Sequence, residues 1–92
     1  MKMLSFETTK QFRRDFKRIE KRNYDVSLMA QVVKTLLDEK PLDPKHQDHA
    51  LSGDYAGHRE CHILNDWLLI YRVDHEHIVL VATRTGTHSD LF

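Results

Sequence analysis

At 92 residues and 10.9 kDa the chain has room for one domain, near the lower limit of what can bury a self-sufficient core. Its single cysteine, Cys61, excludes an internal disulfide and suits a reducing compartment, and no stretch approaches the ~20 apolar residues of a membrane span or the apolar run of a signal peptide. A soluble, cytoplasmic protein with no membrane partner is expected, with Cys61 as a buried small side chain. The formal net charge of +0 hides an asymmetry: residues 1–22 carry eight Lys/Arg (Lys2, Lys10, Arg13, Arg14, Lys17, Arg18, Lys21, Arg22) against three acids, a balance of +5, and the remaining seventy residues balance to −5. Such a patch suits phosphates or an acidic protein; it also suits a solvated helix face.

In chain order, Met3 to Phe6 reads as a short strand. Thr8 and Thr9 can cap a helix running to about Arg22, with Phe12, Phe16 and Ile19 as its buried stripe and Lys10, Arg14, Lys17 and Lys21 on a second face. Asn23-Tyr24 breaks the pattern. Asp25 caps a second helix to about Glu39, whose apolar face is Val26, Met29, Ala30, Val33, Leu36 and Leu37, so the two helices form an antiparallel hairpin. Lys40 to Gly53 holds both prolines and reads as a loop, long for so small a domain and therefore a candidate for function.

From Tyr55 the period changes to two. One strand carries His58, Glu60, His62 and Leu64 alternating with Arg59, Cys61 and Ile63; a turn at Asn65-Asp66 leads to a second, Trp67 to Val73. Asp74-His75-Glu76 turns into a third strand, His77 to Thr83, apolar enough to be central. The expected architecture is α+β: two N-terminal helices packed on one face of an antiparallel sheet of three to four strands, as a single domain over 1–92.

Seven histidines decide the chemistry. Metal binding is disfavoured by spacing: His58 and His62 lie roughly 13 Å apart along a strand, too far to share an ion, and Arg59 stands where a helical His-Glu-x-x-His motif needs its glutamate. Neither a metal nor another cofactor is expected. Histidine is the side chain whose ordinary pKa, about 6.5, lets it take and give a proton near neutrality. Metal-free RNA cleavage needs a base for the 2′-OH, an acid for the departing 5′ oxygen and a cation for charge on phosphorus, and His49, His62, His88, Asp66 and Arg84 include those types. Phe92, with Trp67 as a second candidate, offers a π-face to a base. Spacing alone does not show that these residues converge; surface or structural histidines are the competing reading.

Four ordered motifs carry a resemblance: Asp48-His49-Ala50-Leu51-Ser52-Gly53, Gly57-His58-Arg59-Glu60-Cys61-His62, Asp66-Trp67-Leu68-Leu69-Ile70-Tyr71, and Arg84-Thr85-Gly86-Thr87-His88-Ser89-Asp90-Leu91-Phe92. Together with the basic Phe-x-x-x-Phe helix they resemble the YafQ branch of the RelE/ParE toxin superfamily across the whole chain. The resemblance implies a type II toxin, an endoribonuclease (mRNA interferase) that cuts mRNA in the ribosomal A site. It places the family's catalytic positions on His49, His62, Asp66, Arg84, His88 and Phe92, with the Asp-Trp pair falling on Asp66 and Trp67. On this reading His49, His62, Asp66 and His88 serve proton transfer and orientation, Arg84 stabilises charge and Phe92 stacks on a base. Lys10, Arg13, Arg14, Lys17, Arg18 and Lys21 meet ribosomal RNA, while Trp67 either contacts substrate or packs in the core. Arg59 and Tyr71 brace the site or the fold, and His46, His58, His75 and His77 are left at the surface. A cognate antitoxin is the implied protein partner. The alternative is a ParE-like binding toxin that inhibits DNA gyrase without nuclease chemistry.

Overall fold

Each helix starts where the sequence supplies a cap. In the computed structural model, which describes residues 3–92 and so leaves Met1 and the basic Lys2 outside, the Thr9 hydroxyl accepts from the Phe12 N–H at 2.9 Å and opens α1 (Lys10–Lys21). Asn23, at φ 59°, reverses the chain, and the Asp25 carboxylate accepts from the Ser27 N–H at 3.0 Å to open α2 (Val26–Leu37). Both helices lie on one face of the sheet. Phe12, Ile19, Met29, Val32, Val33 and Leu36 join Cys61, Ile63, Trp67, Leu69 and Leu80 in the main core, with α1 resting chiefly on the last strand and Phe16 half-buried beside it.

The sheet has five strands in the order β1-β5-β4-β3-β2: β1 (Ser5–Thr8), β2 (His49–Ala50), β3 (Arg59–Leu64), β4 (Trp67–Asp74) and β5 (Val79–Gly86). The α+β arrangement is as expected, but the strand count is higher and one pairing is parallel. β1 pairs parallel with β5 after the helices and the β3–β4 hairpin intervene, and β2 adds a two-residue edge inside the expected loop. The third strand begins later than its composition suggests. Asp74 accepts from the N–H groups of Glu76 and His77, both at 3.1 Å, and Ile78 takes a positive φ of 58°, so regular pairing resumes only at Val79. It also runs past Thr83 to Gly86, and the last residues form a one-turn helix, α3 (His88–Leu91), which periodicity did not indicate.

β4 is the middle strand, and Trp67 to Tyr71 are all buried. Such burial requires cover on both faces. The helices cover one; a second, smaller cluster of Leu68, Ile70 and Leu91, with Leu51 and Tyr55 against it, covers the other. α1 serves a further purpose where β1 ends. There the bare edge of β5 is met by Thr9, whose hydroxyl donates to the Thr83 carbonyl at 2.8 Å, and by the buried Asp15 carboxylate, which accepts from the Thr85 N–H at 3.2 Å.

Candidate active site

The strand register assembles the polar residues. His49 of β2 stands opposite Glu60 of β3, Glu60 opposite Ile70 of β4, and Ile70 opposite Arg84 of β5; one row along, His62 stands opposite Leu68, and Leu68 opposite Gly86. Partners in register share a face. His49, Glu60, His62 and Arg84 therefore belong to the face away from α1 and α2, flanking the apolar floor of Leu68 and Ile70. A bulge at Thr83, between the Ile70–Arg84 and Tyr71–Ala82 pairs, lets Arg84 keep this side while the strand bends.

The chain end is folded over that floor by a capped turn. The Thr87 hydroxyl accepts from the Asp90 N–H at 3.2 Å, and the Asp90 carboxylate accepts from the Thr87 N–H at 2.9 Å. Arg22, at the end of α1, donates to both Asp90 oxygens at 2.7 and 3.1 Å, and Arg18 stands 3.5 Å away. The Arg22 guanidinium and the Thr87 donors hold the Asp90 carboxyl far below its ordinary range. Gly86 makes the turn possible: its φ is +153°, and a Cβ there would come within 2.9 Å of Asp90.

This turn places His88 and Phe92. The backbone N–H and ring Nδ1–H of His88 both donate to Asp66 Oδ1, at 3.0 and 2.7 Å, and these two bonds lower the Asp66 pKa. The His88 ring lies 5.8 Å from the His62 ring, centroid to centroid, at 63°. His62 in turn donates from Nδ1 to the Asn65 carbonyl at 3.2 Å. Both rings thus have Nδ1 engaged, which leaves Nε2 for other work. Phe92 is 68% exposed, 6.5 Å from His88 and edge-on to Tyr55 at 6.0 Å, so the site carries an aromatic surface that solvent reaches.

Arg84 is held from below by Asp15, with Nε and Nη2 donating at 2.8 and 3.2 Å, and its pKa is raised by that carboxylate first and the Tyr55 hydroxyl second. His49 donates from Nδ1 to the Gln47 carbonyl at 2.7 Å and brings Nε2 within 3.1 Å of Glu60. Asp15, Glu60, Tyr55 and Asp90 are the residues that sequence reasoning missed, and Arg22, expected in the basic patch with the rest of the helix, is instead paired with Asp90. A signal existed for Asp15, an acid three residues after Phe12 and four before Ile19, within the buried stripe of an otherwise basic helix.

Trp67 must be corrected. It is 1% exposed on the helix-covered face, edge-on to Tyr24 at 5.1 Å, and its indole N–H donates to Thr85 Oγ1 at 3.0 Å, so it is a core residue with no face for a base. Arg13 and Arg18 of the basic helix are exposed but engaged, Arg13 with Thr8 and Arg18 with Asp90, whereas Lys10, Arg14, Lys17 and Lys21 are exposed and outside any ion pair among the described residues. Arg59 and Tyr71 do brace the loop. Both bind Asp48, next to His49, at 3.2 and 2.6 Å, and burial with the Asp48 contact raises the Tyr71 pKa far above its ordinary range. His46 is no free surface residue: half-buried, it donates from Nδ1 to the His62 carbonyl at 2.6 Å. Cys61 is fully buried, and burial pushes its thiol up to about 12. Among the described residues no three His, Cys, Asp or Glu donors stand close enough to hold one metal ion, and no helix is long and apolar enough to cross a membrane.

Comparison with known proteins agrees with this geometry along the whole chain. Residues 4–92 match the family model described as the bacterial toxin of type II toxin–antitoxin systems, YafQ. The mRNA interferase toxin YafQ of Escherichia coli K12 is 34% identical over 87 residues, 94% of this chain and 92% of that protein. Among solved structures, a metal-bound toxin from Helicobacter pylori superposes with a TM-score of 0.93 at 42% identity, covering 98% of this chain and all of that one. The E. coli DinJ–YafQ toxin–antitoxin complex matches with a TM-score of 0.88 at 33% identity, covering 98% of each chain. With the family model spanning every described element from β1 to Phe92, the chain belongs to the YafQ family of type II toxins.

Proposed function

We propose that the protein is an mRNA endoribonuclease that works on the ribosome by metal-independent acid–base catalysis. The observation that carries this reading is the clustering, on the sheet face opposite the helices, of His49, His62, His88, Arg84 and the exposed Phe92, with the Nε2 atoms of His62 and His88 uncommitted among the described residues. In the reaction, a histidine accepts the 2′-OH proton as O2′ bonds to phosphorus. The P–O5′ bond breaks, a second histidine protonates O5′, and the products are a 2′,3′-cyclic phosphate and a 5′-hydroxyl. Asp66 orients His88 through Nδ1, as a carboxylate does for a catalytic imidazole elsewhere. Arg84, fixed by Asp15, offsets charge building on the phosphoryl oxygens, and Phe92 gives a base a surface on which to stack.

Three histidines and an arginine give little affinity for one particular message. The exposed cations of α1, Lys10, Arg14, Lys17 and Lys21, with Arg13 and Arg18 beside them, supply sequence-independent attraction to ribosomal RNA, and the ribosome then presents the mRNA. A cognate antitoxin is the protein partner, in keeping with the DinJ–YafQ complex of the E. coli relative. The test is cleavage of mRNA on programmed ribosomes by wild type, His88→Ala and His62→Ala. Each variant is expected to lose about 10²–10⁴-fold in rate, with growth arrest relieved in cells. Undiminished cleavage by both would overturn the assignment.

A further inference from the structure

A single tight turn in the loop before β2 touches both strand histidines of the site. We propose that His46, to which the acid–base reading gives no role, is a positioning residue that fixes His62 and His49 relative to each other. This deepens the acid–base reading above and rests on it.

The turn, Asp43 to Gln47, is closed by its own hydrogen bonds. The Asp43 carboxylate accepts from the Lys45 N–H at 3.0 Å, the His46 N–H donates to the Asp43 carbonyl at 2.9 Å, and the Gln47 N–H donates to the Pro44 carbonyl at 3.0 Å. Pro44 fixes one φ of the turn and has no N–H to leave unpaired. Gln47 ends it in the left-handed region, at φ 47° and ψ 44°, which a non-glycine residue keeps only where its surroundings hold it. Leu42 anchors the approach in the main core, and Asp48 anchors the exit on Arg59 and Tyr71. Between them Asp43, Pro44, Lys45 and Gln47 are exposed, and only His46 is half-buried.

The His46 ring ties this turn to β3. Its Nδ1–H donates to the His62 carbonyl at 2.6 Å, across 16 positions of sequence; a carbonyl only accepts, so the hydrogen is on Nδ1. That carbonyl is a sensitive place to hold the strand. His62 stands opposite Leu68 but Leu64 stands opposite Trp67, so the ladder is interrupted by a bulge at Ile63. A bulge bends its strand and re-aims the side chains beside it, and here the His62 ring is the side chain at stake. At the other end of the turn the Gln47 carbonyl accepts from His49 Nδ1–H at 2.7 Å. β2 is two residues long and sets the backbone of His49; the ring takes its direction from Gln47. One turn therefore holds His62 by its backbone and His49 by its ring. Two groups that exchange protons with one phosphodiester must keep their separation, since a misplacement of about 1 Å can cost 10²-fold in rate.

Cleavage on programmed ribosomes tests this. His46→Leu fills the space without an N–H and is expected to lower kcat roughly 10–10²-fold, with KM little changed because the cations of α1 are untouched. His46→Asn carries an amide N–H where Nδ1–H stands and is expected to recover most of that loss, which simple filling of space would not do. Asp43→Ala loosens the same turn from its exposed start and is expected to act in the same direction and by less. In a His62→Ala background His46→Leu is expected to cost little more, because it acts through His62. A wild-type kcat in His46→Leu overturns the proposal. So does a loss that His46→Asn leaves unrecovered, or a loss as large in the His62→Ala background as in wild type; either makes His46 an anchor of the loop and no more. Should His46→Leu fail to fold, Asp43→Ala decides in its place, alone and with His62→Ala, by the same two outcomes. If His49→Ala and His62→Ala lose cleavage while His46→Leu keeps it, the His46 assignment falls alone. If neither of those alanine variants loses cleavage, the acid–base reading itself falls.

Discussion

The two faces of the sheet are made from the same strands with opposite economies of polar groups. On the helix-covered face the polar atoms of Trp67 and Thr85 are paired internally: the indole N–H goes to Thr85 Oγ1, and the Thr85 hydroxyl donates to the Leu68 carbonyl at 2.7 Å. On the other face the apolar floor is small, and the polar groups around it are oriented but unfinished, with the Nε2 atoms of His62 and His88 open and one Glu60 oxygen unpartnered among the described residues. The contrast separates residues that hold the fold from those proposed to act, although both sets come from neighbouring positions on β3, β4 and β5. Substitutions on the first face should cost stability; substitutions on the second should cost activity.

The largest stability effect is expected at Trp67. Trp67→Ala removes a fully buried indole and the donor that the Thr85 hydroxyl accepts from, and should lower unfolding free energy by about 3–5 kcal/mol, measured by urea denaturation. In a 92-residue domain that loss is enough to threaten folding altogether. A small loss of stability combined with a large loss of cleavage would instead return Trp67 to the site.

Asp15 joins the two faces and comes next. It is fully buried, caps the β5 edge through the Thr85 N–H and fixes Arg84. Asp15→Asn keeps an acceptor for Thr85 but turns an N–H donor or a neutral oxygen toward the guanidinium. It should cost about 2–3 kcal/mol in denaturation and also lower kcat, because Arg84 loses its fixed direction. Full activity in the folded variant would mean that Arg84 does not depend on Asp15.

Much of this contrast was legible in the sequence. Periodicity identified both helices with their caps, because Thr9 and Asp25 act through bonds only two or three residues long. The period-two run identified β3 and β4, and the motifs marked His49, His62, Asp66, Arg84, His88 and Phe92. What sequence could not supply was register and contacts across long separations. The parallel β1–β5 pairing joins Ser5 to Val79, the Asp15–Arg84 pair spans 69 positions, and the Arg22–Asp90 pair spans 68. Trp67 shows the same limit: beside Asp66 in the motif, it points to the opposite face from His62 and Arg84, a distinction fixed by strand parity and by Thr85.

Asp90 gives a smaller, pH-dependent effect. Its carboxyl is held far below the ordinary range in the folded state, by Arg22 first, so its stabilising contribution is complete above the unfolded pKa of about 3.9 and is lost as pH falls through the folded value. Asp90→Asn should cost about 1–2 kcal/mol near neutral pH, with the gap from wild type closing below about pH 4. A gap that stays constant into acid would mean that the Arg22 contact contributes shape and not charge. Because α3 carries His88 and Phe92, the same variant should reduce cleavage more than it reduces stability.

The smallest stability effect, and the sharpest test of the contrast, belongs to Phe92. Its ring is 68% exposed and touches the site edge-on through Tyr55, so little apolar area is recovered by folding it down. Deleting Phe92 should change unfolding free energy by no more than about 0.5 kcal/mol, as at other exposed positions. If the ring serves as a stacking platform, the deletion should nevertheless slow cleavage by roughly 5–150-fold, the rate equivalent of the 1–3 kcal/mol that one base–aromatic stack contributes. A large fall in stability would make Phe92 a lid for the Leu68–Ile70–Leu91 cluster, and the second face would then be a second core with a polar rim. Intact stability with slowed cleavage would mean that the substrate, and not the fold, covers the Phe92 ring.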